Sequence, residues 1–215
     1  MSRLAVVLAL ALLFTGCAPT AQEQVRLLSD DGVHLYRSGS YAEAGDQFRA
    51  ALTLRPEDPD LLYNLARCNE KLGRPADADQ LYERVIHHRP DHAEARHALV
   101  SRRVEAGQRD VAGRMVQGWL KASPNLAGPY VEDGWLRARD GDLDSARARF
   151  LQALEIEPRN ARAMNELAQV YERLDRPDRA SVLYERSLEA DPDQPETRRR
   201  LDELRTKGVG RPRPD

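Results

Sequence analysis

Four histidines stand within eleven residues, His87, His88, His92 and His97 in HHRPDHAEARH. Imidazoles this close in sequence are the groups that bind zinc or copper. Pro90 breaks the segment, however, and no cysteine or paired carboxylate completes a metal-ligand spacing. Two Asp-Gly pairs, Asp31-Gly32 and Asp133-Gly134, carry carboxylates of the kind used in acid–base work. They fall at equivalent places of a repeated pattern, and the repetition accounts for them. No Gly-rich phosphate loop, nucleophile elbow or metalloprotease motif occurs. These absences argue against an enzyme, and no cofactor or metal is implied.

Cys17 offers a different chemistry. Met1-Ser2-Arg3 gives a positive start, and Leu4 to Phe14 is an uncharged apolar run. That run is about half the ~20 residues a bilayer-spanning helix needs, so residues 1–16 read as a signal peptide. Phe14-Thr15-Gly16-Cys17 resembles the bacterial lipoprotein box, in which the cysteine is acylated and becomes the first mature residue. An ordinary secretory signal is the alternative. The resemblance implies a membrane contact through acyl chains on Cys17, each buried methylene adding ~0.8 kcal/mol. With Ala18 following the cysteine, it also implies the periplasmic face of the outer membrane rather than the inner membrane. A tether over 17–24 would leave Ala18 to Gln24 between anchor and array, a reach of at most ~25 Å. With Cys17 acylated, Cys68 has no partner, and it reads as a buried small side chain rather than a reactive thiol.

The elements that position these groups are set by five prolines, Pro56, Pro90, Pro124, Pro158 and Pro192, spaced 34 residues apart. A period held that strictly means one supersecondary unit repeated. The units occupy 25–58, 59–92, 93–126, 127–160 and 161–194. Position 20 of each is Ala44, Ala78, Ala112, Ala146 and Ala180. Position 8 is Gly32, Ala66, Val100, Gly134 and Ala168, and position 24 is Phe48, Tyr82, Val116, Phe150 and Tyr184. Small residues let two helices approach, and the position-24 side chain fills the space beside them. Gly39, Gly73, Gly107 and Gly141 suit the left-handed turn that ends a first helix. Each unit is therefore helix, tight turn, helix, with proline stopping the second.

This pattern is similar to the tetratricopeptide repeat. The resemblance implies an all-α fold, a right-handed superhelical α-solenoid of five helix-turn-helix units. Residues 195–207 form a capping helix, with Leu201 and Leu204 on its inner face. Residues 208–215 (GVGRPRPD) read as a disordered tail. Repeat three carries the irregularities. Trp119 sits at position 27 where a small residue is usual, Arg96 stands at position 4, and Gly113 and Gly118 weaken the second helix. It is expected to be the most distorted unit.

In the family, positions 2, 5, 9 and 12 of each first helix line a concave groove that takes peptide segments. The resemblance assigns to that groove Tyr36, Tyr63, Asn64, Arg67, His97, Val131, Trp135, Asn165 and Gln169. Trp135 is the natural anchor there, with packing against the neighbouring helix as the alternative. A chaperone-type carboxylate clamp is not expected, because its positions hold Ser29, Val33, Asn64, Glu94 and Ala98, of which only Asn64 matches.

Net charge is −2, and only residues 93–126 and 195–215 are net basic, at +3 each. No basic stripe emerges, so nucleic acid is not an expected partner. The resemblances together imply an envelope-anchored, non-enzymatic adaptor that binds a segment of another envelope protein. Assembly of pili or secretion machinery fits it, as does service to cell-wall enzymes. The alternative is a self-associating structural scaffold.

Overall fold

The computed structural model describes residues 19–209. The signal segment, Cys17 and residues 210–215 lie outside the described residues. Among those described there are eleven α-helices and no strand. Repeat one holds α1 (Ala21–Arg37) and α2 (Tyr41–Leu54), and repeat two holds α3 (Pro59–Lys71) and α4 (Pro75–His88). Repeat three holds α5 (Ala93–Glu105) and α6 (Arg109–Ala122). Repeat four holds α7 (Ala127–Arg139) and α8 (Leu143–Ile156), and repeat five holds α9 (Ala161–Arg173) and α10 (Pro177–Ala190). Helix α11 (Pro195–Thr206) follows. None of the described helices is long and apolar enough to cross a membrane.

The 34-residue punctuation works through backbone sterics. Arg55, Ser123, Glu157 and Asp191, each just before a ladder proline, have φ of −136°, −141°, −131° and −140°. Proline's ring excludes the helical conformation from the residue ahead of it, so the helix must stop there. Two residues past each proline stands the N-cap of the next helix. Asp58 accepts from the Asp60 and Leu61 amides, and Asn160 accepts from the Ala163 amide. These caps satisfy donors that the first turn leaves open. Leu126, at the same place before α7, makes no side-chain cap. Between the two helices of a unit, Gly39, Gly73, Gly107 and Gly141 have φ from 68° to 88°. In repeat five Asp175 takes that left-handed turn at φ 57°.

Both ends of the array differ from the sequence expectation. Helix α1 begins at Ala21, inside the tether expected over 17–24, because Thr20 and Glu23 form a capping box. At the other end Gly208 and Val209, expected in a disordered tail, instead close α11. Gly208 takes φ 78° and donates to the Arg205 carbonyl, and the Val209 amide donates to the Leu204 carbonyl. Val209 also packs on the apolar cluster beneath α11. The pair forms a left-handed C-terminal cap with a hydrophobic contact.

The chain forms two compact units that divide between Ala78 and Asp79, inside α4. In the first, α1 packs on α2 and α2 on α3. A β-carbon at Gly32 would meet the Phe48 ring at 2.7 Å, so the absent side chain makes room for the aromatic. Cys68 is fully buried, and burial pushes its thiol up to about 11. It is a packing residue.

In the second unit α7 packs on α8, α8 on α9, α9 on α10 and α10 on α11. The Gly-for-aromatic arrangement recurs where a β-carbon on Gly134 would stand 2.8 Å from the Phe150 ring. Phe150, Ala146 and Ala153 have no solvent exposure. Helix α11 covers the last apolar surface with Leu201, Leu204 and Thr197. Its outer side carries ion pairs from Arg199 to Glu196 and Glu203. A polar outer face on the final helix is what an array needs at its end.

Repeat three keeps regular helices but packs them less closely: α5 and α6 meet over a smaller surface than α1 and α2, α7 and α8 or α9 and α10, as its composition leads one to expect. Helices α5 and α6 have 13 and 14 residues, the lengths found in repeats four and five. Trp119 is buried because Gly128 of the next repeat leaves room for it, a β-carbon there meeting the indole at 2.7 Å. Arg96 covers the ring from 4.6 Å and donates to the Pro90 carbonyl. The oversized residue is absorbed one repeat later. Gly113 and Gly118 face open space, with nothing within 4 Å of the place a β-carbon would take. Replacing both with Ala is expected to raise stability by about 1–2 kcal/mol in urea denaturation, since each removes a helix penalty without a clash.

Candidate partner-binding face

Along the first helix of each repeat, positions 5 and 9 are half-buried nearly throughout. Ser29, Tyr63, His97 and Asn165 share that exposure at position 5, as do Val33, Arg67, Ser101, Trp135 and Gln169 at position 9. This stripe is neither core nor free surface, which suits residues that touch a partner without leaving the scaffold.

In the first unit the structure brings three of the expected residues together. The Arg67 guanidinium lies 4.4 Å over the Tyr36 ring and 5.8 Å from the Tyr63 ring. Tyr36 also meets Tyr41 edge-on at 5.2 Å. A cation held between aromatic faces stiffens long side chains and keeps an aromatic surface presented. Asn64, the next residue after Tyr63, is partly buried.

In the second unit the expectation needs one correction. Val131 has only 2% of its surface exposed and belongs to the apolar cluster with Phe150 and Met164. It is core, because at this position α7 turns an apolar side chain toward α8 and α9. The other assigned residues of the unit surround a polar cluster. Trp135 is half-buried, with His97 edge-on at 5.0 Å and the Arg139 guanidinium 4.9 Å from its ring. The indole packs on the core beneath it and still presents surface.

At the centre lies Glu132 of α7, a residue that no motif or spacing singled out. Its side chain has no solvent exposure. His97 Nδ1, from α5, donates to Oε2 at 3.0 Å, and Arg162 Nη2, from α9, is 2.6 Å from Oε1. Arg162 Nη2 also stands 2.8 Å from His97 Nδ1. Because that nitrogen already donates to Glu132, the approach is a packing contact and not a second hydrogen bond. The Arg162–Oε1 contact is an ion pair without hydrogen-bond alignment. Burial works to raise the Glu132 carboxyl, but the His97 hydrogen bond and the Arg162 charge outweigh it and hold the group below its ordinary 4.5. Three successive repeats are thus tied through one buried carboxylate.

Glu166 is the same position one repeat later, yet its environment is reversed. No hydrogen bond or ion pair reaches its carboxylate among the described residues, and burial raises its pKa. Neighbouring Asn165 has a buried Oδ1 that also finds no donor. Gln169, one turn further along α9, is half-buried. The fold therefore holds Glu166 at a disadvantage in its charged form. The sign follows: a raised pKa means a penalty present above the folded value and absent below 4.5. Glu166→Gln is expected to stabilise the protein at pH 7 by about 1 kcal/mol, with the gain disappearing in the same unfolding measurement below about pH 4.

The histidines do not act as a set. His92 caps α5, its Nδ1 accepting from the Ala95 amide at 3.3 Å, whereas His97 serves Glu132. His87 and His88 meet each other edge-on at 5.0 Å. Among the described residues no group of three or more His, Cys, Asp or Glu has metal-holding geometry. On the second helices of repeats four and five, a cavity of about 510 Å³ is lined by Leu151, Leu154, Pro158, Leu183 and Arg186. Leu151 there is 43% exposed.

A sequence model of the tetratricopeptide repeat matches residues 35–102 and 137–200, more than half of the chain. The chain belongs to the tetratricopeptide repeat family. It is similar to cellulose synthase operon protein C of Pseudomonas fluorescens, 29% identical over 168 residues, covering 74% of this chain and 13% of that protein. It is also similar to mouse FK506-binding protein-like, 31% identical over 147 residues, covering 65% of this chain and 33% of that protein. The chain thus spans a third or less of the length of these two relatives. A thermophilic tetratricopeptide repeat protein of Thermus thermophilus, TTC0263, matches 86% of this chain and 99% of its own at 29% identity and a TM-score of 0.63. The Cut9–Hcn1 hetero-tetramer of the APC/C contains a chain matched over 88% of this one and 37% of its own. That match has a TM-score of 0.60 at 16% identity, a likeness of fold alone. The fold is a helical repeat scaffold of the kind that binds protein partners.

Proposed function

We propose that this protein is a non-enzymatic adaptor of the bacterial envelope. Acyl chains on Cys17 hold it at the periplasmic face of the outer membrane, and the first-helix stripe takes a segment of another envelope protein. The observation that carries the reading is Trp135. It is half-buried and braced by His97 and Arg139, in a stripe where most residues at positions 5 and 9 share its partial exposure. An aromatic held rigid before binding loses little freedom on contact. Assembly of a pilus or secretion machine is the process we assign, with service to cell-wall enzymes as the neighbouring assignment. Substituting Trp135→Ala should abolish recovery of the partner in pull-downs from crosslinked envelopes while far-UV helicity stays unchanged. Unaltered recovery would remove the stripe from consideration. Membrane fractionation checks the anchor, because Cys17→Ala should move the protein to the soluble fraction.

A second reading, self-association, is favoured by the apolar cavity around Leu151. Sedimentation velocity of the full chain separates the two. A dimer dispersed by Leu151→Glu would support self-association, and a monomer at high concentration would dismiss it.

A further inference from the structure

The repeats let the protein be compared with itself, and the comparison shows what Glu166 lacks. Glu132 in repeat four is satisfied by position 5 of the preceding repeat, His97, and by position 2 of the following one, Arg162. For Glu166 the corresponding places are held by Val131 and Glu196. The first is a buried aliphatic side chain, and the second is an acid whose own carboxylate is engaged by Arg199 and Arg200. The nearby charges that act on Glu166 are Arg162, His97, Glu132 and Arg139. Arg162 and His97 are committed to Glu132, and Arg139 lies on the Trp135 ring. Asn165, the residue before it, keeps a buried carbonyl oxygen that also lacks a donor. An acceptor carboxylate and an acceptor amide oxygen stand on one helix, and the cation that completes this arrangement one repeat earlier is missing.

We propose that Glu166 receives the ammonium or guanidinium of a single lysine or arginine from the partner segment, the cation that Arg162 supplies to Glu132 within the array. Asn165 Oδ1, buried beside it on α9, is a second acceptor without a donor, and Gln169 lies half-buried one turn along. The partner is therefore a protein segment with one obligatory basic residue. Arg139 is the internal rival for the same carboxylate. The inference rests on the reading of this stripe as the binding face.

Phage-displayed random dodecapeptides selected on the full-length protein test it without knowledge of the natural partner. Selected peptides should share one lysine or arginine position. Their binding to Glu166→Gln, which is expected to fold at least as well as wild type, should weaken about tenfold or more. Norleucine in place of the shared lysine should produce the same loss, and Arg139→Ala should tighten binding by removing the competing cation. Peptides that need Trp135 but carry no shared basic residue, or that bind Glu166→Gln undiminished, would overturn the inference and leave the stripe intact. Failure to select any peptide that depends on Trp135 would overturn both.

Discussion

Replacing Arg162 by Ala is expected to lower unfolding stability by about 3 kcal/mol at pH 7, measured by urea denaturation. The change leaves Glu132, which has no solvent exposure, with His97 as its only charge-stabilising partner. Breaking a buried ion pair by removing one member typically costs about 3–5 kcal/mol, because the surviving charge stays desolvated. The low end applies here, since the His97 hydrogen bond remains and Arg162 is itself 31% exposed. A second change, Glu132→Gln in the Arg162→Ala background, should restore part of the loss by removing the stranded charge. The pH dependence has a definite sign. The folded pKa of Glu132 lies below 4.5, so its contribution is fully present above 4.5 and is lost as pH falls through the lower folded value. The difference between wild type and Arg162→Ala should therefore shrink below about pH 4. A pH-independent difference would mean that Arg162 acts by packing rather than charge.

Enlarging Gly134 gives the second large effect. A β-carbon at this position would stand 2.8 Å from the Phe150 ring, and Phe150 has no exposed surface into which it could turn. Gly134→Leu is expected to destabilise by about 3 kcal/mol, at the upper end for overpacking a close-packed core. Gly134→Ala should also destabilise, by about 1 kcal/mol, because the clash exceeds the helix propensity that Ala gains. The same Gly→Ala change at Gly113, which faces open space, should have the opposite sign. Propensity alone would make both changes stabilising, so the pair of thermal melts separates the two causes. Repeat one, where Gly32 faces Phe48, should repeat the result seen at Gly134.

The architecture was legible because a few residues act on the backbone in every unit. Proline at position 32, Ala at position 20 and Gly at position 15 impose local geometry whatever surrounds them. Asp175 shows that the turn survives even where the Gly is replaced. Legibility ended where a side chain's role depends on a neighbour 34 residues away. Gly128 falls in the groove stripe by register, yet the size of Trp119 in the previous repeat turns it into a space for indole. Val131 shares the stripe by spacing but is drawn into the core by its apolar side chain. Glu132 looks in sequence like one more solvated charge. Only the meeting of α5, α7 and α9 shows it buried between His97 and Arg162. Glu132 and Glu166 stand 34 residues apart, but exposed pairs such as Arg139 and Arg173 or Glu155 and Glu189 keep the same phase, so spacing alone does not single them out.

The same comparison links the scaffold to recognition. A carboxylate satisfied inside the array stabilises the stack of repeats, and its unsatisfied copy one repeat later is available to a partner. Trp135 is linked to the first through His97, and the Arg139 that covers its ring is one of the charges acting on the second.

The most direct test of the account replaces Trp135, and separately Leu151, with a photo-crosslinking phenylalanine analogue in the full-length protein, followed by irradiation of intact cells. Crosslinks to a different envelope protein from position 135, and none to it from position 151, are the predicted result. Partner crosslinks confined to position 151, or only self-crosslinks at both positions, would contradict it.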